Sequence, residues 1–146
     1  MPASYGAGAA SETPWGWADE RLEAARNYWL CTTRGDRRPH AAPVWALWLD
    51  GLLWFSTDPE SQKARNLTRE PRAVVHLESG DDVVIVEGEI EQRPWDDRVV
   101  DAYEAKYGYR VDTSKEMYGT YVFRPRVAQT WTEKGFPRSA VRWVFD

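Results

Sequence analysis

Ser61, Gln62 and Lys63 stand together in DPESQKARNLTREP, just after a proline and at the start of a helical pattern. A helix beginning there offers unpaired backbone N–H groups and the positive end of its dipole to one spot. A hydroxyl, an amide and an ammonium added to that spot make a cradle for a phosphate. Arg65 and Arg69 extend the positive potential along the same helix. Basic residues on a helix are more often only a solvated face, so the spacing alone leaves both options open.

Upstream, the stretch Pro39 to Leu49 is apolar on both sides. Ala42, Val44, Ala46 and Trp48 fall on one face, and Ala41, Pro43, Trp45, Leu47 and Leu49 on the other. A half-buried surface strand alternates with polar residues, and this one does not. It therefore needs a second cover: its own helices, a ligand or another subunit. Twofold association is the commonest oligomeric solution, so a homodimer is expected, with the N-terminal helix as the alternative cover. Pro43 cannot donate to a ladder, so the pairing should break or bulge there. Backbone groups freed by such a break suit the polar edge of a flat heterocycle; an ordinary edge-strand proline is the alternative.

The elements that must position these residues follow from turn and periodicity signals. A helix is expected from Ala18 to about Asn27, with Leu22, Ala25 and Trp29 as its stripe. Strands are expected over Tyr28–Thr33, Pro39–Leu49, Leu52–Thr57, Arg72–Glu78, Asp82–Gln92, Gly119–Thr132 and Ala140–Phe145. Asp50-Gly51 is a hairpin signal. Asp58 or Ser61 can cap the basic helix, which should end before Pro71. A further helix from Trp95 to about Tyr107 carries Val99, Ala102, Tyr103 and Lys106 at helical spacing. Gly88 inside a strand hints at a bulge or a close backbone approach, and Pro125 at a break. Six or seven strands with inserted helices make a mainly β, α+β protein built on a split barrel. Residues 1–17 are expected to be a flexible tail and 18–146 the single domain.

Composition narrows the function. The chain has 146 residues, and 19 Lys and Arg against 23 Asp and Glu give a net charge of −4. A mildly acidic chain is a poor nucleic-acid binder, because phosphate neutralisation supplies most of that affinity. No stretch approaches a membrane span and no signal sequence opens the chain, so a cytoplasmic protein acting off the membrane is expected. Cys31 is the single cysteine, which excludes an intrachain disulfide and a Cys-cluster metal site. Nine Trp and seven Tyr exceed what a small barrel interior needs, so some rings belong to a ligand slot or an interface. His40 and His76 read as structural first, and Tyr118 and Tyr121 as packing residues within possible reach of a substrate. The pairs Asp81-Asp82 and Asp96-Asp97 fit a turn and a helix start, so no acid–base dyad and no catalytic side chain is assigned.

Taken in order, RPHAAPVW, DGLLWFST, ESQKARNLTREPRAVV, VIVEGE, AKYGY and VRWVF resemble the flavin- and deazaflavin-binding split β-barrel superfamily, which includes the pyridoxamine 5′-phosphate oxidase-like proteins. The similarity runs over about residues 18–146, and its nearest branch binds either FMN or the deazaflavin coenzyme F420. The resemblance implies a homodimer with two cofactor sites between the subunits. It implies that Ala42, Pro43, Val44 and Trp45 line the cofactor ring with backbone. Phe55, Ser56 and Thr57 would lie by the ribityl chain, Ser61, Gln62 and Lys63 would hold the phosphate, and Trp131 would come from the partner subunit. The oxidase proper has Arg where this chain has Gln62, and its late Arg and His find no counterpart around Arg138 to Arg142. The expected activity is thus that of a reductase, moving hydride between bound F420 or FMN and a conjugated small molecule. The alternative is a carrier of flavin, deazaflavin or haem without turnover.

Overall fold

Alternation of apolar and polar residues decides which side of each strand faces inward, and that in turn fixes the register of the ladders. The computed structural model describes residues 2–6, 12–114 and 119–146. In chain order these form β1 (Ala3–Gly6), α1 (Trp15–Ala24), β2 (Tyr28–Thr33), β3 (Pro39–Val44), β4 (Ala46–Leu49), β5 (Leu52–Ser56), α2 (Gln62–Arg69), β6 (Arg72–His76), β7 (Asp82–Gln92), α3 (Asp97–Tyr107), β8 (Thr120–Thr132) and β9 (Val141–Val144). The sheet has nine strands in the order β1-β9-β8-β7-β6-β2-β3, with β4-β5 joined to β8. Every pairing is antiparallel. The mainly β architecture with helices is the one expected; the strand count is higher than the expected six or seven for two reasons. Pro39 to Leu49 is two strands, not one, and Ala3–Gly6 pairs with β9 inside the segment expected to be a loose tail. Thr13 of that segment is also buried, within 3.0 Å of the Thr130 hydroxyl.

The sheet splits at β8. One side of β8 pairs with β7 over most of its length. The other side pairs with β5 from Thr120 to Phe123 and with β9 from Val127 to Thr130. The change of partner falls around Pro125, which has no N–H to give, and the facing strand shifts register between Glu87 and Gly88. A Cβ at Gly88 would collide with the Arg124 carbonyl oxygen and approach Phe123 Cζ to 2.8 Å. Gly88 is thus both the bulge and the close approach that the sequence suggested.

Two apolar cores result. Inside the barrel, Tyr28, Leu30, Phe55, Val75, Val86 and Phe123 pack with Leu22 of α1 and Leu67 of α2. Outside it, Trp95, Val99, Val100 and Tyr103 cover Leu47, Trp54 and Val122. Each such buried side chain contributes about 1.5–3 kcal/mol. α1 starts at Trp15, earlier than expected, because the stripe Trp15, Ala18, Leu22 is the one that meets the barrel. Trp29 belongs instead to β2. Asp50 and Gly51 both have positive φ, as their hairpin requires.

The apolar ribbon Pro39–Leu49 divides at Trp45. Pro43 itself stays in register opposite Trp29, so the break expected there comes two residues later. Beyond it, Leu47 of β4 lies under α3, with Leu49 packed against the same cluster, and Trp48 donates from Nε1 to Asp19 of α1 at 2.7 Å. The chain's own helices therefore cover β4, where a partner subunit was expected. The backbone groups of Ala46, just past the break, are taken by α3. Its N–H donates to the Tyr107 hydroxyl at 2.9 Å, and its carbonyl accepts from Lys106 Nζ at 2.9 Å. Lys106 also donates to the Tyr28 hydroxyl at 2.8 Å, and Tyr28 in turn donates to the Leu22 carbonyl.

Two tests follow. Gly88→Ala should destabilise the fold by about 1–3 kcal/mol in urea unfolding, because the colliding atom is backbone and cannot swing away. Gly80→Ala, with no atom near the new Cβ, should change stability by less than about 0.5 kcal/mol. Burial lowers the Lys106 pKa to about 8, with Glu23 opposing. An unfolded lysine still holds its proton up to about pH 10.4, so between these values the unfolded state binds more protons and stability rises with pH. Urea unfolding at pH 7.5 and 9.5 should show wild type gaining stability relative to Lys106→Met; an unchanged difference would contradict the burial of the charged amine.

Candidate functional site

α2 begins where β5 gives out. The Ser61 N–H donates to the Asp58 carbonyl at 2.9 Å, and the Asp58 carboxylate accepts from the Glu60 N–H at 2.9 Å. Ser61 caps the helix, accepting from the Ala64 N–H at 3.3 Å. The inner face of α2 is fixed to the barrel by Leu67 and by a buried polar chain. Gln62 Nε2 donates to Asn66 Oδ1 at 2.7 Å, and Asn66 Nδ2 donates to Thr32 Oγ1 of β2 at 2.9 Å. A buried amide with both ends satisfied specifies one seating of the helix.

That seating puts Lys63 near His40 of β3 and Arg34 of the β2–β3 turn. His40 Nδ1 is buried and has no hydrogen-bond partner among the described residues. Burial first, then the charges of Arg34 and Lys63, hold its pKa below the usual histidine value. Arg34 donates to the Pro39 carbonyl at 2.8 Å. Among the described residues no carboxylate lies within ion-pairing distance of Lys63. A buried ring nitrogen left without a partner beside two cations is the environment an anionic group would satisfy. The residues present therefore fit the phosphate end of a flavin-type cofactor.

The other expected contacts divide. Ala42 is half-buried and Pro43 exposed on the free edge of β3, while Val44 turns into the core. Ser56 and Thr57 are half-buried at the end of β5, and Thr57 Oγ1 lies 3.4 Å from Ser61 Oγ. Phe55 is not brought to the site: its ring is in the barrel core, stacked on Tyr121 at 5.2 Å. The Gln62 amide is engaged within α2, accepting from Arg65 at 3.0 Å as well as donating to Asn66. Trp131 lies near the opposite end of β8 from Thr120, roughly 35 Å along the strand, and packs on Phe136. Tyr118 lies outside the described residues.

Trp45 connects this site to a cleft of about 500 Å³ that the sequence did not indicate. Ser56, Thr57, Asp58, Tyr103 and Asp112 also line it. The Trp45 indole stacks on Tyr107 at 4.7 Å and 4° between planes, which makes α3 the wall behind it. The tyrosines of AYEAKYGY carried a signal, three of them within seven residues, but Tyr103 and Tyr107 read equally well as a helix stripe. A second groove of about 540 Å³ lies on the outer sheet face around Cys31 and Gly88. Its cations are already paired, Arg72 with Glu70 and Arg126 with Glu89, so it has less to offer an anion. Cys31 is half-exposed there, and burial pushes its thiol pKa up.

The sequence profile of the family described as pyridoxamine 5′-phosphate oxidase matches residues 18–134. Among solved structures, the chain is similar to a conserved hypothetical protein from Mycobacterium tuberculosis, with 28% identity over 84% of this chain and 88% of that one and a TM-score of 0.68. An F420 reductase shares 20% identity over 75% of this chain and 94% of its own, with a TM-score of 0.57. HutZ, a haem storage protein from Vibrio cholerae, shares 12% over 77% and 89%, with a TM-score of 0.64. At those last two identities the likeness is one of fold. Among curated proteins, none matches the sequence. The family match spans most of the chain and takes in β3, α2 and the break at Trp45, so this protein belongs to the pyridoxamine 5′-phosphate oxidase family.

Proposed function

We propose that this protein is an oxidoreductase that holds coenzyme F420 or FMN along β3 and moves hydride between it and a conjugated small molecule. The observation that carries the proposal is the unpartnered Nδ1 of His40 next to Lys63 and Arg34, at the start of α2 in a barrel of this family. Lys63 and Arg34 would neutralise the cofactor phosphate, and Ser61 would remain the helix cap. The free edge at Ala42 and Pro43 would face the ring, with Trp45 closing its far end. Two prolines in β3 leave mostly carbonyl acceptors on that edge, which suits ring N–H donors. A bound deazaflavin or flavin supplies the hydride chemistry itself. The chain's part is to fix the ring and exclude water, which needs no acid–base dyad.

Arg65 and Arg69 are exposed four residues apart on α2, beyond Lys63. They favour a cofactor with an acidic tail, as F420 has, over FMN. Arg138 does not extend that path, because it belongs to the turn between β8 and β9, on the side of Trp131. The exposed β3 edge and the remote Trp131 are both accounted for if a second copy faces the site and supplies its own Trp131.

The test is a fluorescence titration of wild type and Lys63→Ala with F420 and with FMN. A lost charge-assisted contact to phosphate should weaken binding about tenfold or more. Equal affinity for both cofactors in the two proteins would remove the anchor. Reoxidation of the bound, reduced cofactor by candidate acceptors supports the enzyme. A Soret band on haem loading, with no turnover of either cofactor, would establish the carrier instead.

A further inference from the structure

Trp45 stands at the exposed end of a run of four rings. Trp95 and Tyr103, both buried, pack with 5.3 Å between ring centres, Tyr103 and Tyr107 with 4.9 Å, and Tyr107 and Trp45 with 4.7 Å. The inner end is fixed in the core beneath α3, where Trp95 Nε1 donates to the Tyr121 carbonyl at 3.2 Å. The inner pairs are tilted by 52° and 45°, whereas the Tyr107–Trp45 pair is nearly parallel at 4°. Tyr107 therefore covers one face of the indole. Trp45 is 38% exposed and lines the cleft together with Ser56 and Thr57.

Tyr107 also holds the backbone that carries the indole. Its hydroxyl accepts from the Ala46 N–H at 2.9 Å and has one proton to give, with the carbonyls of Arg26 and Ala46 at 2.8 and 2.9 Å. Lys106 already donates to the Ala46 carbonyl, which leaves Arg26 as the acceptor for the phenol. One side chain thus ties the residue after Trp45 to the loop before β2 and stacks on Trp45 itself. The Arg26 guanidinium lies 5.0 Å from the Trp45 ring centre and 5.8 Å from that of Tyr107, which adds a cation–π attraction to the pair. An exposed tryptophan at a strand interruption would otherwise lose its rotamer freedom only when a ligand arrived, at the expense of affinity. Stacked on Tyr107, the indole is set beforehand.

We infer that Tyr107 is a positioning residue: by stacking on Trp45 it presets the indole against which a planar ring packs, and so governs affinity for the cofactor ring independently of the phosphate. The inference rests on the proposed function for the presence of that ring, and Tyr107 acts through Trp45. Ring and phosphate are then held by different parts of the chain, the end of α3 and the start of α2, and each contributes to binding separately.

The test titrates the full chain into FMN and F420 and into their phosphate-free chromophores, riboflavin and 8-hydroxy-5-deazariboflavin, and follows chromophore fluorescence. Tyr107→Leu should weaken both members of the tighter-binding pair by the same factor, about fivefold. Lys63→Ala should instead lower the affinity of the phosphate-bearing member relative to its phosphate-free one. Tyr107→Phe keeps the ring and drops the hydroxyl, so it should bind within about twofold of wild type while its urea midpoint falls. That rescue separates the stack from the fold. In a Trp45→Leu background, Tyr107→Leu should have no further effect, because its action passes through the indole. The inference is overturned if Tyr107→Leu binds the phosphate-free ring like wild type, if Phe and Leu at this position lose affinity alike, or if the loss persists without Trp45. Should Tyr107→Leu fail to fold, Trp45→Leu and Tyr107→Phe decide: full ring affinity in the first, or lost ring affinity in the second, overturns it. Absent binding of all four molecules to wild type defeats the cofactor reading itself, whereas intact dependence on Lys63 with an inert Tyr107 defeats this inference alone.

Discussion

The break at Trp45 is the constraint on which the rest of the molecule depends. A ribbon apolar on both faces would be buried along its whole length if it ran straight. Instead β3 ends at Val44 and β4 starts at Ala46, and the backbone groups exposed by the interruption are claimed by Tyr107 and Lys106 of α3. An orphaned buried N–H or C=O costs about 1–3 kcal/mol, so the break is tolerable only with those partners in place. It leaves β4 in the core and β3 along the exposed edge of the sheet. α3 thus both covers β4 and carries the rings behind the cleft.

The second organising feature is β8, which serves two partners along one edge. With β5 on its first half and β9 on its second, it opens the barrel on one side while β7 keeps a continuous ladder on the other. The bulge at Gly88 lets the ladder absorb the bend at Pro125. Because β5 hangs from the first half of β8, the start of α2 and the floor of the cleft share one strand end. Thr57 N–H donates to the Gly119 carbonyl at 2.9 Å, tying the β5 exit to the entry of β8. The start of α2 and the cleft beside Trp45 are thereby held at a fixed spacing by backbone, with little left to side-chain adjustment.

Much of the scaffold was legible in the sequence because its signals are local. Asp50-Gly51, the Ser61 cap, the α3 stripe and Gly88 each carry their own geometry, and each appears in the structure within a few residues. The start of α2 was legible for the same reason: the Ser61 cap and the helix behind it need only local signals. Whether side chains face the site is a tertiary matter, and there the sequence was less informative. Phe55 and Gln62 sit at positions the family resemblance assigns to the cofactor, yet one ring turns into the barrel and one amide is spent on Asn66 and Arg65. The cover of β4 was also misjudged, since the long apolar ribbon gave no hint that α3, far along the chain, returns to it. Lys106 was the clue to that return. A lysine on an apolar helix stripe needs a buried acceptor, and the acceptor is the Ala46 carbonyl.

The prolines of β3 have one more consequence. All six residues of this strand pair with β2, so the two nitrogens that carry no hydrogen, those of Pro39 and Pro43, are best accommodated on the free edge. A foreign strand laid along that edge would find too few donors to zip onto it. The edge along which the proposed ring would lie is therefore a poor template for sheet extension, which guards an exposed strand against pairing with another chain.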